Sequence, residues 1–421
     1  MELKYGDRAF GLALPEQRLR EVIRVTPPVP ASTPEELVGA ALDGCTDQLA
    51  RFRAGERVAI VTSDITRYTG SEIYLPLLVA RLNQAGIRDA DITIIIALGI
   101  HRPQTAHEHA RILGPLTGRI RVADHDCDDP GKLAMLGTTG NGIPVMLNRA
   151  VVEADRVIIT GTIGFHYFAG FGGGRKSILP GVASRAACMA SHFAVLNPGD
   201  GTGRNPRAVT GNLTGNPVHE AMVEACAMVA PDLMLNTVLA PDKRLIAAFA
   251  GDWRTAHETG CRFYADHFAY PLKEQSDLVV VSCGGFPKDI NVIQSHKAME
   301  YGSQALKEGG VMVLLAECRD GYGNATFFDW FQYRDLAVFE ARLRSHYEIN
   351  GQTAYSLLAK ARRFRIILVS VLPPEEVRTM GLIPAGDLDA ALALASEMLP
   401  TDYSAYAIPD GGTVLPVFHK L

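Results

Sequence analysis

Short apolar runs recur along this chain, and most are followed by a stretch whose apolar residues repeat with helical spacing. Residues 57–63 read as a buried strand, 72–85 as a helix, 92–98 as a strand, 106–113 as a short helix and 156–160 as another strand. The pattern restarts with a strand at 278–282, then a helix at 290–308, a strand at 311–316, a helix at 353–361, a strand at 365–371 and a helix at 388–398. Apolar strands separated by helices cannot pair through tight hairpins, so they belong to α/β units around largely parallel sheets. The expected fold is therefore α/β, with two α/β domains. The first spans 1–270 and the second 271–400, and a tail at about 401–421 packs back on the first. The boundary falls near 270–275, where Pro271, Lys273 and Glu274 interrupt the apolar pattern. The segment 197–217, rich in Gly, Asn, Pro and Thr, reads as a surface excursion.

Bulk properties exclude several partners. The 421 residues carry a net charge of −5 and a pI near 6.2, which leaves no basic footprint for nucleic acid or an anionic membrane. No apolar run approaches a membrane span, and the opening residues lack a secretory core, so a cytoplasmic protein is expected. The seven cysteines are scattered without a C-x-x-C pair, which points to neither a zinc ribbon nor a disulfide framework.

The stretch from Gly161 to Gly181 follows directly on the 156–160 strand. It places His166, the glycines Gly170, Gly172, Gly173 and Gly174, and Lys176 on one loop. Such a loop lets backbone N–H groups approach an anion because no Cβ blocks the way, and a lysine can neutralise that anion or attack as a nucleophile. A P-loop needs glycine immediately before the lysine, and Arg175 stands there instead. The plain alternative is a tight turn that needs small residues.

Ligands in doubly wound sheets bind at the carboxyl ends of strands, which selects the loops after these runs. After 57–63, an arginine fork at Arg67 beside Asp64 suits a carboxylate or phosphate, and an N-cap with a local ion pair is the alternative. After 92–98, His101 stands at a strand end, positioned for proton transfer or ligation. Beyond the glycine loop, Ser184 opens a helix that carries His192 near its end, as a ligand or as a histidine favoured by the helix dipole. His101, His166 and His192 are candidates to converge on one metal or substrate. His107-Glu108-His109 reads as a solvated face, because neighbouring helical residues point apart. In the later domain Gln294 and Lys297 share one helical face, suited to a carboxylate or simply to solvent, and His296 points elsewhere.

Together, Asp64-x-Thr66-Arg67, Gly99-x-His101-Arg102-Pro103, the loop Gly164-x-His166 to Gly173-Gly174-x-Lys176 and Leu179-Pro180-Gly181, then His192 and Gln294-x-x-Lys297 resemble the lactate racemase family. So do Tyr5-Gly6 with Leu14-Pro15, the run from Gly215 to Glu220, and Gly251-Asp252-Trp253 with Ala256-His257-Glu258. The resemblance covers nearly the whole chain. It implies an isomerase: a racemase or epimerase of a 2-hydroxy carboxylic acid. The implied chemistry is hydride transfer to and from a nickel-pincer nucleotide, a pyridinium bisthiocarboxylate mononucleotide with nickel, through a 2-keto acid. The implied active site lies in the cleft between the two domains, the first of which binds the cofactor. Lys176 would carry the nucleotide covalently through a thioamide, with Asp64, Thr66, Gly172, Gly173 and Gly174 around it and its phosphate against the glycines. His192 would ligate nickel. His101 and His166 would exchange the substrate's hydroxyl proton. Arg67, Gln294 and Lys297 would bind its carboxylate, with Lys297 also serving catalysis and Asp64 supporting them. Cofactor biosynthesis proteins would be maturation partners.

The chain departs from the family where Tyr68-Thr69 replaces a proline-containing turn, and at 351–355, where no tryptophan stands; its two tryptophans are Trp253 and Trp330. The expected substrate is a 2-hydroxy acid that is lactate-like or larger, and these departures point to a larger or more polar one. Two rival readings are an NTPase or kinase that uses Gly172 to Lys176 for phosphates, and a non-catalytic cofactor-binding protein.

Overall fold

The central strands are made by runs of Ile, Val and Thr, whose branched Cβ atoms crowd a helix but pack well on a pleated surface. The computed structural model describes residues 1–418. They divide into two units: Pro27–Asn197 with Arg204–His267, and Met1–Thr26 with Pro198–Gly203 and the chain from Phe268 onward.

In the first of these units six strands form one sheet in the order Leu245–Gly251, Leu233–Leu239, Arg156–Ile163, Val58–Ser63, Ile92–Ala97, Arg121–Asp124. All neighbours run parallel except the pair of Leu233–Leu239 with Leu245–Gly251. The chain steps outward from Val58–Ser63 to Ile92–Ala97 and Arg121–Asp124. It then returns to the other side of Val58–Ser63 with Arg156–Ile163. That reversal is a topological switch point, where the carboxyl ends of adjacent strands leave room for a ligand. Ile60, Leu75, Leu78, Ile94, Ile96 and Leu235 belong to the core beneath. Helix Ala106–Leu113 begins at a capping box, in which Thr105 and Glu108 satisfy each other's backbone N–H groups at 3.2 and 2.8 Å.

A polar hub lies within this core. The hydroxyl of Tyr74, a fully buried residue, is within 2.8 Å of the Thr62 hydroxyl and 3.0 Å of those of Thr69 and Thr160. Thr160 in turn donates to the Val61 carbonyl at 3.0 Å, and Thr237 to the Thr69 carbonyl at 2.8 Å. Strand, helix and the end of the 64–69 loop are thus fixed to one another.

The second unit has its own six-stranded sheet, ordered Ile383–Ala385, Arg365–Val369, Leu306–Leu315, Ser276–Ser282, Ala405–Ile408, Leu19–Val22, with every pair parallel. The division differs from a simple cut at 270. Leu19–Val22 pairs with Ala405–Ile408, so the first residues of the chain join this unit. The expected tail holds an interior strand: Ala405–Ile408 is buried along its whole length between Ser276–Ser282 and Leu19–Val22. The expected 290–308 helix spans only Val292–Gly302, because the chain turns at Ser303–Ala305 to begin the strand Leu306–Leu315. Among the described residues no helix is long and apolar enough to cross a membrane.

Replacing Tyr74 by Phe keeps the ring and leaves three buried threonine hydroxyls without their common partner. Urea unfolding is expected to show a loss of about 1–3 kcal/mol; an unchanged midpoint would mean that these hydroxyls find other partners.

Candidate active site

The loop after Val58–Ser63 is organised by Asp64. This carboxylate is 3% exposed. Its Oδ1 accepts from the Thr66 N–H at 3.0 Å and the Thr66 hydroxyl at 2.7 Å, and its Oδ2 lies 2.5 Å from His101 Nδ1. An ionised carboxylate only accepts, so His101 carries a proton on Nδ1, and in the neutral ring the lone pair is on Nε2. Burial pushes the Asp64 carboxyl up, but the hydrogen bonds from His101 and Thr66 outweigh it and hold the group below the usual range. The guanidinium of the exposed Arg67 donates to the Thr66 carbonyl at 3.5 Å and hydroxyl at 3.3 Å.

The His101 loop is held on several sides. Arg102 makes a two-pronged bond to Glu108 at 2.8 and 2.6 Å. Gln104 accepts from the Ile65 N–H at 3.1 Å, and its own N–H donates to Asp124 at 2.7 Å. His109 Nε2 lies 2.8 Å from the other Asp124 oxygen. The run His107-Glu108-His109 is therefore more than a solvated face: Glu108 and His109 brace the loops that carry Asp64 and His101. The Gly99 N–H donates to the Gly181 carbonyl at 2.8 Å, which ties the His101 loop to the end of the glycine loop.

Three of the expected residues gather on one buried ring. From the centre of Phe168, the His166 ring is 4.5 Å away, the His192 ring 5.2 Å and the Lys176 ammonium 5.9 Å. His166 Nδ1 accepts from the Ala169 N–H at 3.3 Å, which puts the proton of the neutral ring on Nε2. His192 lies in helix Arg185–Phe193, capped by Ser184. Its Nδ1 donates to the Cys188 carbonyl at 2.8 Å and leaves Nε2 with the lone pair. Burial, then the Lys176 charge, brings His192 down to about 4, so it is neutral rather than a charged partner of the helix dipole. Partly buried Lys176 is brought down to about 7 by burial first and then by the Arg175 and Arg67 charges. Part of it is therefore an uncharged amine at neutral pH. Among the described residues no three His, Cys, Asp or Glu side chains cluster as metal ligands, so His101, His166 and His192 do not converge on one ion.

The glycine loop is shaped by close approach. Gly173 has φ +108°, and a Cβ there would lie 2.7 Å from Ile163 and 2.8 Å from His257. Gly174 donates its N–H to Asn236 at 2.8 Å, and Gly172 donates to the Gly164 carbonyl at 2.7 Å. The Ser177 hydroxyl, which a P-loop would turn toward magnesium, donates to the Thr160 carbonyl at 2.6 Å.

In the other unit Asn291 caps helix Val292–Gly302 by accepting from the Gln294 N–H at 3.0 Å. Gln294 and Lys297 are exposed and linked at 3.1 Å, while His296 is buried. Phe168 and Gln104 were not singled out from sequence. An aromatic residue inside a glycine-rich loop was the only signal for the first, and nothing local marked the second.

Two family models cover the chain: the lactate racemase N-terminal domain over residues 5–203 and the lactate racemase C-terminal domain over 272–416. The lactate racemase of Thermoanaerobacterium thermosaccharolyticum is 33% identical over 99% of this chain and 98% of its own length. That of Lactiplantibacillus plantarum is 33% identical over 90% and 89%. The apoprotein structure of the first superposes with a TM-score of 0.88 at 32% identity, covering 99% of both chains. A Thermotoga maritima protein of known structure, at 19% identity and TM-score 0.62 over 91% of this chain and 98% of its own, shares the fold.

A carboxyl whose folded pKa lies below its unfolded value stabilises the fold above the unfolded pKa, and that contribution disappears as the pH falls through the folded one. The stability gap between wild type and Asp64→Asn is therefore expected to be steady near neutrality and to narrow below about pH 4. Urea titrations across this range check it; a gap independent of pH would mean that the Asp64 charge is not what stabilises the loop.

Proposed function

The chain belongs to the lactate racemase family and is an isomerase, and we propose that it racemises or epimerises a 2-hydroxy carboxylic acid at the site around Phe168. The observation that carries this reading is the grouping of His166, His192 and Lys176 on one buried ring, with the lysine held near 7.

These residues fit a nickel-pincer nucleotide. An amine that is partly uncharged at neutral pH suits a covalent link. A buried neutral histidine with Nδ1–H committed to a carbonyl suits metal ligation through Nε2. The side-chain-free backbone at Gly172, Gly173 and Gly174 suits a phosphate laid against it. Lys176 would hold the nucleotide, His192 would ligate its nickel, and Asp64 and Thr66 would line its site. When bound, that group supplies a reversible acceptor for the substrate's α-hydrogen as hydride, so the substrate passes through a 2-keto acid and avoids a carbanion.

His101, aligned by Asp64, offers its Nε2 lone pair to the substrate's hydroxyl proton, in the manner of a carboxylate-oriented general base. His166 offers the complementary Nε2–H, so the two imidazoles present one acceptor and one donor. Such a pair serves both directions of a reaction that inverts one centre. Arg67 holds the substrate carboxylate with its planar fork. Gln294 and Lys297 are assigned to substrate binding, and Lys297 also to catalysis. Tyr68-Thr69 and the absence of tryptophan from 351–355 favour a substrate larger or more polar than lactate. The proposal places the enzyme in the cytoplasm, loaded by cofactor biosynthesis proteins.

Matured protein given single enantiomers of lactate and of bulkier 2-hydroxy acids in heavy water tests this. Chiral chromatography is expected to show the opposite enantiomer accumulating with little deuterium at the α-carbon. His101→Gln and His166→Gln are each expected to slow turnover by about 10²–10⁴-fold with nickel retained. Rapid deuterium wash-in would indicate ordinary deprotonation, and lactate outstripping every larger acid by a wide margin would remove the size proposal.

A further inference from the structure

In a P-loop the residue before the lysine is glycine; here it is Arg175, and this arginine is wholly buried. A guanidinium withdrawn from water normally has a carboxylate partner. Burial pushes this guanidinium down to about 10, and among the described residues no carboxylate is among the groups acting on its charge. Its donors are committed to neutral acceptors. Nε donates to His219 Nδ1 at 2.9 Å, Nη1 to the Gly172 carbonyl at 2.8 Å, and Nη2 to the carbonyls of Ala169 and Phe171, both at 3.2 Å. His257 Nε2 donates to the same Gly172 carbonyl at 2.9 Å, from a ring stacked on His219 with centroids 6.1 Å apart. Burial, then the Arg175 charge, keeps both histidines neutral: His219 is brought down to about 3, and His257 lies well below its ordinary value.

Arg175 and Lys176 are consecutive in the one-turn helix Arg175–Ile178, so their side chains leave it about 100° apart. We propose that Arg175 is a positioning residue for Lys176: by gathering the carbonyls of Ala169, Phe171 and Gly172 on one side of the glycine loop, it fixes the direction in which Lys176 leaves the other. The proposal rests on the reading of Lys176 as the point of cofactor attachment. Three carbonyls and an imidazole nitrogen set around one plane need the guanidinium fork, because lysine carries the charge without the geometry. A trans peptide points its N–H opposite its carbonyl, so a clamp on the Gly172 carbonyl also fixes the direction of the Gly173 N–H. His219 and His257 sit on helices Pro217–Val229 and Trp253–Phe268. The clamp thus gives a role to the histidine-bearing runs at 215–220 and 251–258, which proton transfer leaves unused.

Amide hydrogen exchange on the full-length, cofactor-free wild type, Arg175→Lys, Arg175→Gln and His257→Leu tests the clamp. In Arg175→Lys, peptides covering 164–178 are expected to exchange about tenfold faster, the equivalent of one lost charge-assisted hydrogen bond, while strand Ile92–Ala97 keeps wild-type rates. Retained charge alone does not rescue the loop. After maturation, the fraction of chains with a covalent adduct at Lys176, read by intact mass, is expected to fall in the same variants. Wild-type exchange at 164–178 in folded Arg175 variants overturns the proposal. So does an equal rise in Ile92–Ala97, which marks a general loss of stability. If neither Arg175 variant folds, His257→Leu decides: a rise confined to 164–178 supports the clamp, and no rise overturns it. An unmodified Lys176 in matured wild type would remove the attachment reading instead, and the exchange comparison would still decide the clamp.

Discussion

A run of glycines has no side chains with which to hold itself in place, and the site depends on how Gly172 to Gly174 are held. Glycine loses more conformational freedom on folding than any other residue, so this loop needs external constraint. The constraint comes from polar groups around its backbone: Asn236 on Gly174, the Gly164 carbonyl on Gly172, and Arg175 with His257 on the Gly172 carbonyl. Packing also limits it, since a Cβ at Gly161 would stand 2.8 Å from the Gly174 nitrogen. The loop lies at the switch point of the parallel sheet, beside the loops that carry Asp64 and His101. A rigid scaffold thus presents its least self-supporting segment where the topology leaves room for a ligand.

Around that loop, burial assigns charge. Desolvation removes charge from Lys176 and His192, which are brought down to about 7 and about 4. Asp64 is also buried, yet it stays ionised because Thr66 and His101 hydrogen-bond to its charged form. The same low-dielectric surroundings therefore hold a partly uncharged amine, a neutral imidazole and an ionised carboxylate. What separates them is whether hydrogen bonds to the ion outweigh its burial: at Asp64 they do, and at His192 the one to the Cys188 carbonyl does not. The opposite tautomers of His101 and His166 follow from the same logic, one set by a carboxylate and the other by a backbone N–H.

Much of this was legible from the chain alone, for local reasons. Branched apolar runs marked the strands, and the loops after them carried Asp64, His101, His166 and Lys176. Helix Ala106–Leu113 has the bounds that its apolar spacing predicts, and the structure adds a capping box of Thr105 and Glu108 at its start. What escaped depends on partners distant in sequence. Ala405–Ile408 is four residues long and becomes a central strand only because Ser276–Ser282 and Leu19–Val22 flank it. Helix Val292–Gly302 stops early because the following residues serve the sheet, a demand that periodicity cannot express. Glu108 and His109 read as a solvated face because helical spacing does not show Arg102 and Asp124, which hydrogen-bond to them. Phe168 carries no motif of its own, and its importance lies in what packs on it.

The most direct measurement is nickel per chain for wild type and His192→Ala, each produced alongside the cofactor biosynthesis proteins. Near-stoichiometric nickel in wild type that falls away in the variant is the result expected of a site in which His192 is the protein's ligand. A wild-type chain without nickel, in cells that load a control member of the family, would contradict it.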